Sequence, residues 1–132
     1  MMVDDDVRVA SPSVGSSELD DITAAALSVR EELGAGLTEA IYRNGLALAL
    51  KEMRHSVSME VPVPVVYMDE VIGTLRADVI VNKNIVVELK CAAKITEAHV
   101  AQAMAYKTRI TGARAIVLNF TLANGVENRQ FT

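Results

Sequence analysis

The sequence predicts an α/β fold, a mixed sheet of about four to five strands flanked by helices in the order α-α-β-β-β-α-β-β. Two stretches between Leu19 and His55 repeat apolar residues at three- and four-residue spacing, the period of a helix with one buried face. Residues 57–90 are instead rich in β-branched residues and are interrupted twice by turn-forming triplets. After one more helical stretch, "ARAIVLNF" is almost continuously apolar, which marks a fully buried strand and so a sheet covered by helices.

The region from Met1 to Ser17 is polar and Ser-rich, is broken by Pro12 and Gly15 and has no sustained period. Residues 1–18 are therefore expected to be a disordered acidic tail ahead of a single domain, 19–132. Leu19, Ile22, Ala26, Val29 and Leu33 define the first helix, with Ser17 as its N-cap. Gly34 and Gly36 end it, and a second helix is expected from about Leu37 to His55 through Ile41, Leu46, Leu48 and Leu50. Three antiparallel strands follow in "VSMEVPVPVVYMDEVIGTLRADVIVNKNIVVELK", turning at "MDE" and "NKN". Pro62 and Pro64 remove backbone donors from the first strand, which places it at an edge of the sheet. Thr96 is expected to cap a third helix running to about Ile110, ended by Thr111 and Gly112. "ARAIVLNF" and a weaker "VENRQFT" complete the strands.

A chain of 132 residues, 51% of them hydrophobic, suits one domain with one sizeable core. No apolar run approaches the roughly 18 residues of a membrane span, and the first residues have neither the basic nor the apolar region of a secretory signal. A soluble, cytoplasmic protein with no membrane partner is expected. One cysteine and two histidines exclude an internal disulfide and a structural zinc site. Cys91 is expected to be a small buried hydrophobe, and His55 to end the second helix with no partner at catalytic spacing. The net charge of −4 is uneven: residues 1–21 hold six acids against Arg8, or −5, whereas residues 22–132 hold 12 bases and 11 acids, or +1. A near-neutral body permits a polyanionic partner without demanding one.

The chemistry concentrates in "RADVIVNKNIVVELK", residues 76–90. Alternation puts Glu88 and Lys90 on one face with Val86, and Ile85, Val87 and Leu89 on the other, core-facing side. The turn decides what Asp78 meets. A two-residue loop at Asn82 and Lys83 sets Asp78 opposite Val87. A three-residue loop, Asn82 to Asn84, pairs Val81 with Ile85, sets Asp78 opposite Glu88 and Arg76 opposite Lys90, and gives Asn84 the positive φ such loops end on. A register slipped by two would make a plain salt bridge between Asp78 and Lys90. Two facing acids repel, and a divalent cation between their oxygens reverses the sign.

An acid on one strand followed by Glu-x-Lys on the next, here Asp78 and "ELK" at 88–90, resembles the core of the PD-(D/E)XK nuclease superfamily, with Ala77 standing where the family name has proline. Upstream, "GLTEAIY" from Gly36 to Tyr42 is similar to the Gly-x-x-Glu-x-x-Tyr signature of the GxxExxY proteins, a small-domain branch of that superfamily. The resemblance runs from roughly Ile22 to Phe120 and implies a restriction-endonuclease-like core. On the third helix, Gln102 and Tyr106 share a stripe with His99 and Arg109. An acid-free stripe of this kind suits phosphates, although a polar stripe is more often simply solvated. Its "QAMAY" resembles the Gln-x-x-x-Tyr element beside the active site in the exonuclease-like branch.

The resemblance implies that Asp78, Glu88 and the backbone carbonyl of Leu89 hold Mg2+ or Mn2+, with Glu39 a further ligand, directly or through water. Gly36 would let the second helix begin close to the sheet. Lys90 would position the attacking water or stabilise the transition state, and Tyr42, Arg76, His99, Gln102, Tyr106 and Arg109 would position substrate. The expected function is a Mg2+-dependent nuclease acting on DNA or RNA. The other class is a non-catalytic nuclease-fold module for binding or assembly. A homodimer would enlarge the footprint on nucleic acid.

Overall fold

The computed structural model describes residues 17–123 and 125–132; most of the sequence-predicted tail lies outside them. Among the described residues the elements run α1 (Glu18–Leu33), α2 (Glu39–Glu52), β1 (Val57–Tyr67), β2 (Glu70–Val81), β3 (Ile85–Lys90), α3 (Glu97–Lys107), β4 (Arg114–Phe120) and β5 (Val126–Phe131), the predicted order. The five strands lie side by side in chain order. All neighbours are antiparallel except β3 and β4, which are parallel and joined through α3.

Ser17 caps α1 by accepting a hydrogen bond from the Asp20 N–H at 3.0 Å. The second and third helices stop short of the expected ends, α2 at Glu52 rather than His55 and α3 at Lys107 rather than Ile110. Arg54, at φ 70°, reverses the chain after α2. The prolines are placed as expected, on the edge strand β1.

Helices cover both faces. Leu19, Ile22 and Val29 of α1 and Tyr42, Leu46 and Leu50 of α2 pack on Val79, Ile85, Val87 and Leu89. Ala103 and Tyr106 of α3 pack on the other face, against Ile80, Val86, Ala115 and Val117. β3 and β4 are buried throughout, apart from half-buried Lys90 and Arg114, as continuous apolar runs require.

One irregularity sets the site. Val57, Val79 and Val81 belong to the α1/α2 side, whereas Val61, Val63, Leu75 and Ala77 belong to the α3 side. All are odd-numbered, so the two-residue alternation slips between Val57 and Val61 and between Ala77 and Val79. Glu60 and Asp78 sit at the slip, bracketed by the pairs Met59↔Val79 and Val61↔Ala77. Glu60 adopts φ 52° and is held by the Arg43 guanidinium at 3.1 Å. Beyond this kink β2 leaves β3: their ladder is only Val79↔Val87, Ile80↔Val86 and Val81↔Ile85. Residues past it continue as a two-stranded arm, with Val66, Tyr67, Met68, Val71 and Ile72 exposed toward its tip.

Candidate active site

The pairing of Val81 with Ile85 is that of the three-residue loop, and it brings Asp78 to Glu88. The positive φ values fall elsewhere than expected, on Asn82 (52°) and Lys83 (71°) rather than on Asn84. The Asn84 N–H closes the turn onto the Val81 carbonyl at 3.2 Å, so the two central residues take the left-handed conformation, as in primed hairpin turns. Arg76 does not face Lys90, because the ladder ends before it and the kink turns the arm away.

Where the ladder stops, the two acids replace it. The Leu89 N–H donates to Asp78 Oδ2 at 2.8 Å, and the Asp78 N–H donates to Glu88 Oε2 at 3.1 Å. Each carboxylate is thus hooked across the strand gap by a backbone N–H of the opposite strand, that of Leu89 for Asp78 and that of Asp78 for Glu88. Each hook leaves one oxygen over, Oδ1 of Asp78 and Oε1 of Glu88. Because N–H and C=O of one strand residue leave by the same edge, the Leu89 carbonyl also points to this gap. Glu88 is 2% exposed. Burial first, and then the charge of Asp78, pushes its carboxyl up to about 8, against the pull of the Asp78 N–H and of Lys90. Two spare carboxylate oxygens and a carbonyl around a site that disfavours negative charge form a hard, oxygen-only donor set, which fits Mg2+ or Mn2+.

Lys90 reaches Gln102 Oε1 of α3 at 2.7 Å, so Gln102 orients the ammonium beside the acids. Glu39 opens α2, behind its N-cap Thr38, and its charge is the weakest of the influences that raise Glu88. It acts through space: among the described residues no three His, Cys, Asp or Glu side chains stand together as ready metal ligands.

Of the remaining expected residues, Arg76 and Arg109 are exposed, and the two tyrosines and His99 are engaged in the scaffold. Tyr42 is 1% exposed; its hydroxyl donates to the Gly34 carbonyl at 2.6 Å and accepts from the Leu37 N–H at 3.3 Å. Its ring stacks on Phe120 at 4.4 Å. Tyr106 donates to the Arg76 carbonyl at 2.6 Å, which ties the arm to α3; burial and the Glu88 charge push its phenol up. His99 closes a capping box with Thr96 at the start of α3. Arg109 donates to the Ala105 carbonyl at 2.7 Å at the helix end. Gly36 is required for its φ of 86° rather than for close packing, since a Cβ there would meet nothing within 4 Å.

Two further expectations are overturned. Cys91 is exposed, because β3 ends at Lys90 and alternation with it; burial and then the Glu39 charge push its thiol up, which argues against a nucleophile. His55 has partners after all: Nε2 meets Asp21 Oδ2 at 2.9 Å and Nδ1 meets Asn82 Nδ2 at 3.0 Å. Asn82 Oδ1 takes the Ser56 N–H, which fixes the amide so that its Nδ2 faces both His55 and Glu18. This network locks the β2–β3 turn to α1, at the other end of the β2–β3 pairing from Asp78. The sequence signalled neither Asp21 nor Asn82 here, since the contacts span 34 and 27 residues. Asn119 was missed too. It is fully buried beside Lys90 in register, accepts the Ala92 N–H at 2.8 Å and donates to the Ala92 carbonyl at 3.0 Å. A buried polar residue inside an apolar run was the available signal.

In comparison with known proteins, the family model of the PD-(D/E)XK nuclease superfamily matches residues 16–131. No curated protein and no solved structure matches the chain.

Proposed function

We propose that this chain, which belongs to the PD-(D/E)XK nuclease superfamily, hydrolyses phosphodiester bonds in DNA or RNA with the help of Mg2+ or Mn2+. The observation that carries the reading is the reciprocal hook of Asp78 and Glu88, which keeps two acids together where a hairpin built for stability would pair an acid with a base. Asp78, Glu88 and the Leu89 carbonyl would hold the cation, and Glu39 would reach it through water. When bound, the cation neutralises phosphoryl charge and acidifies a water. Lys90, oriented by Gln102, is aimed at the phosphoryl oxygens on which charge grows. Tyr42 and Tyr106 act as positioning residues, holding the α1–α2 loop and the arm. Arg76 and Arg109 are exposed cations suited to the nucleic-acid backbone.

Lys90→Ala is expected to lose about 100-fold or more in Mn2+-dependent cleavage while keeping the calorimetric signature of Mn2+ binding. Asp78→Ala is expected to lose both. Equal heats for the wild type and Asp78→Ala, with no cleavage by either, would make the chain a non-catalytic nuclease-fold module.

A further inference from the structure

Beyond the end of β3 lies a cleft of about 560 Å³ that the reading above does not use. One wall is Gly36 and Leu37 of the α1–α2 loop, the opposite wall is Leu122 and Ala123 after β4, and the near rim is Cys91 to Ala93 after β3. Phe120 also lines it, buried against the Tyr42 ring. Each part is braced from behind. Tyr42 hydroxyl bonds hold the Gly36–Leu37 wall. Arg30 of α1 donates to the carbonyls of Thr121 and Leu122 at 3.0 to 3.1 Å and holds the second wall. Asn119 pins Ala92 on the rim, and Glu127 accepts from both Asn119 and the Ile95 N–H. Three anchors from three separate elements thus converge on one small cleft, as in pre-formed ligand sites.

The lining chemistry restricts the occupant. The described lining is mainly apolar and carries no charged side chain, so a phosphate or another ion would lose water there without compensation. The volume falls within the range of small-ligand sites and admits a single flat ring system rather than a duplex. The cleft also begins where β3 ends, close to the acids in the chain. Cys91 on its rim is two residues past Leu89, about 7 Å along an extended chain, and the Glu39 charge is felt by both Glu88 and Cys91. A chain whose phosphate sits at Asp78 and Glu88 therefore has an apolar cleft within reach of the adjoining base.

We infer that the cleft between the α1–α2 loop and the β4–β5 loop is a subsite for an unpaired nucleobase, so that the substrate is a single-stranded or frayed nucleic-acid segment. This rests on the nuclease reading and adds the strandedness of its substrate. A fully paired base reaches the cleft only after it is unstacked and flipped, at a cost of a few kcal/mol, so duplex is disfavoured. The apolar walls favour the base by stacking and exclusion of water rather than by sequence-specific hydrogen bonds. Weak sequence preference is the consequence.

The test combines binding and turnover on the full chain. An oligothymidylate titrated into the wild type is expected to shift backbone amide signals at residues 36–37, 91–93 and 120–123. Ala93→Trp and Ala123→Trp, which fill the cleft from its rim and from one wall, are expected to weaken that binding by about tenfold with the heat of Mn2+ binding unchanged. In cleavage assays the wild type is expected to prefer the single strand to the matching duplex by about tenfold or more, and both variants to raise KM more than they lower kcat. Oligothymidylate shifts confined to α3 or the arm, equal rates on both substrates, or unchanged KM in both filled variants would overturn the subsite. If Mn2+ binds without any cleavage, the amide shifts still decide the cleft while the nuclease reading fails by itself.

Discussion

At neutral pH, Glu88 of the metal-free protein is largely protonated, since burial and the neighbouring Asp78 push its carboxyl up to about 8. Between about pH 4.5 and 8 the folded state therefore binds more protons at this position than the unfolded chain, and stability falls as pH rises through that window. Glu88→Gln removes the liability. The variant is expected to be more stable than the wild type near pH 9, by on the order of 5 kcal/mol, and equal to it near pH 4, as urea unfolding would register. A cation takes the place of that proton, so Mn2+ affinity should climb with pH up to about 8, with proton release visible by calorimetry in two buffers of different ionisation enthalpy. An affinity indifferent to pH would contradict this. The meeting of Asp78 and Glu88 was legible in the sequence as one of three registers, which strand alternation left to the turn and its pairing to decide and among which the family resemblance favoured this one. The partners of Tyr42 and His55 were not, because nothing local encodes what a ring meets across the core.

The meeting of the two acids is a property of the element as well, and depends on the kink at Glu60. If β2 ran straight, backbone bonds would occupy the gap that the two carboxylates now fill. A glutamate at φ 52° gives no compositional signal, since positive φ is concentrated in Gly, Asn and Asp. The edge position of β1 was legible from its two prolines; the slip in its pleat was not. Glu60→Val places a β-branched residue at a φ it resists. It is expected to cost about 1–3 kcal/mol in unfolding free energy and to weaken Mn2+ binding as β2 straightens. Glu60→Gly keeps the positive φ without strain and is expected to bind Mn2+ like the wild type, losing the Arg43 ion pair alone. Equal Mn2+ affinity in both variants would mean that the kink does not hold the acids.

Over the whole molecule, element order was legible because helix and strand periods differ, and because the buried run of β4 required helices on both faces. The allotment of α1 and α2 to one face and α3 to the other follows from packing that no single segment specifies. Charge is the remaining property of the molecule as a whole. Residues 1–16 hold three acids and one base, so their removal takes the net charge from −4 to −2. Long-range repulsion from a polyanion weakens accordingly, within a Debye length of about 10 Å at 0.1 M salt. A chain beginning at Ser17 is expected to bind single-stranded oligonucleotide two- to threefold more tightly than the full chain at about 0.02 M salt, mainly through a faster on-rate. Near 0.3 M the two should coincide, while the Mn2+ affinity of Asp78 and Glu88 is the same in both at either concentration. Stopped-flow association at the two salt concentrations reads this directly: an advantage that survives high salt would mean that residues 1–16 act by occupying the binding surface rather than by their charge.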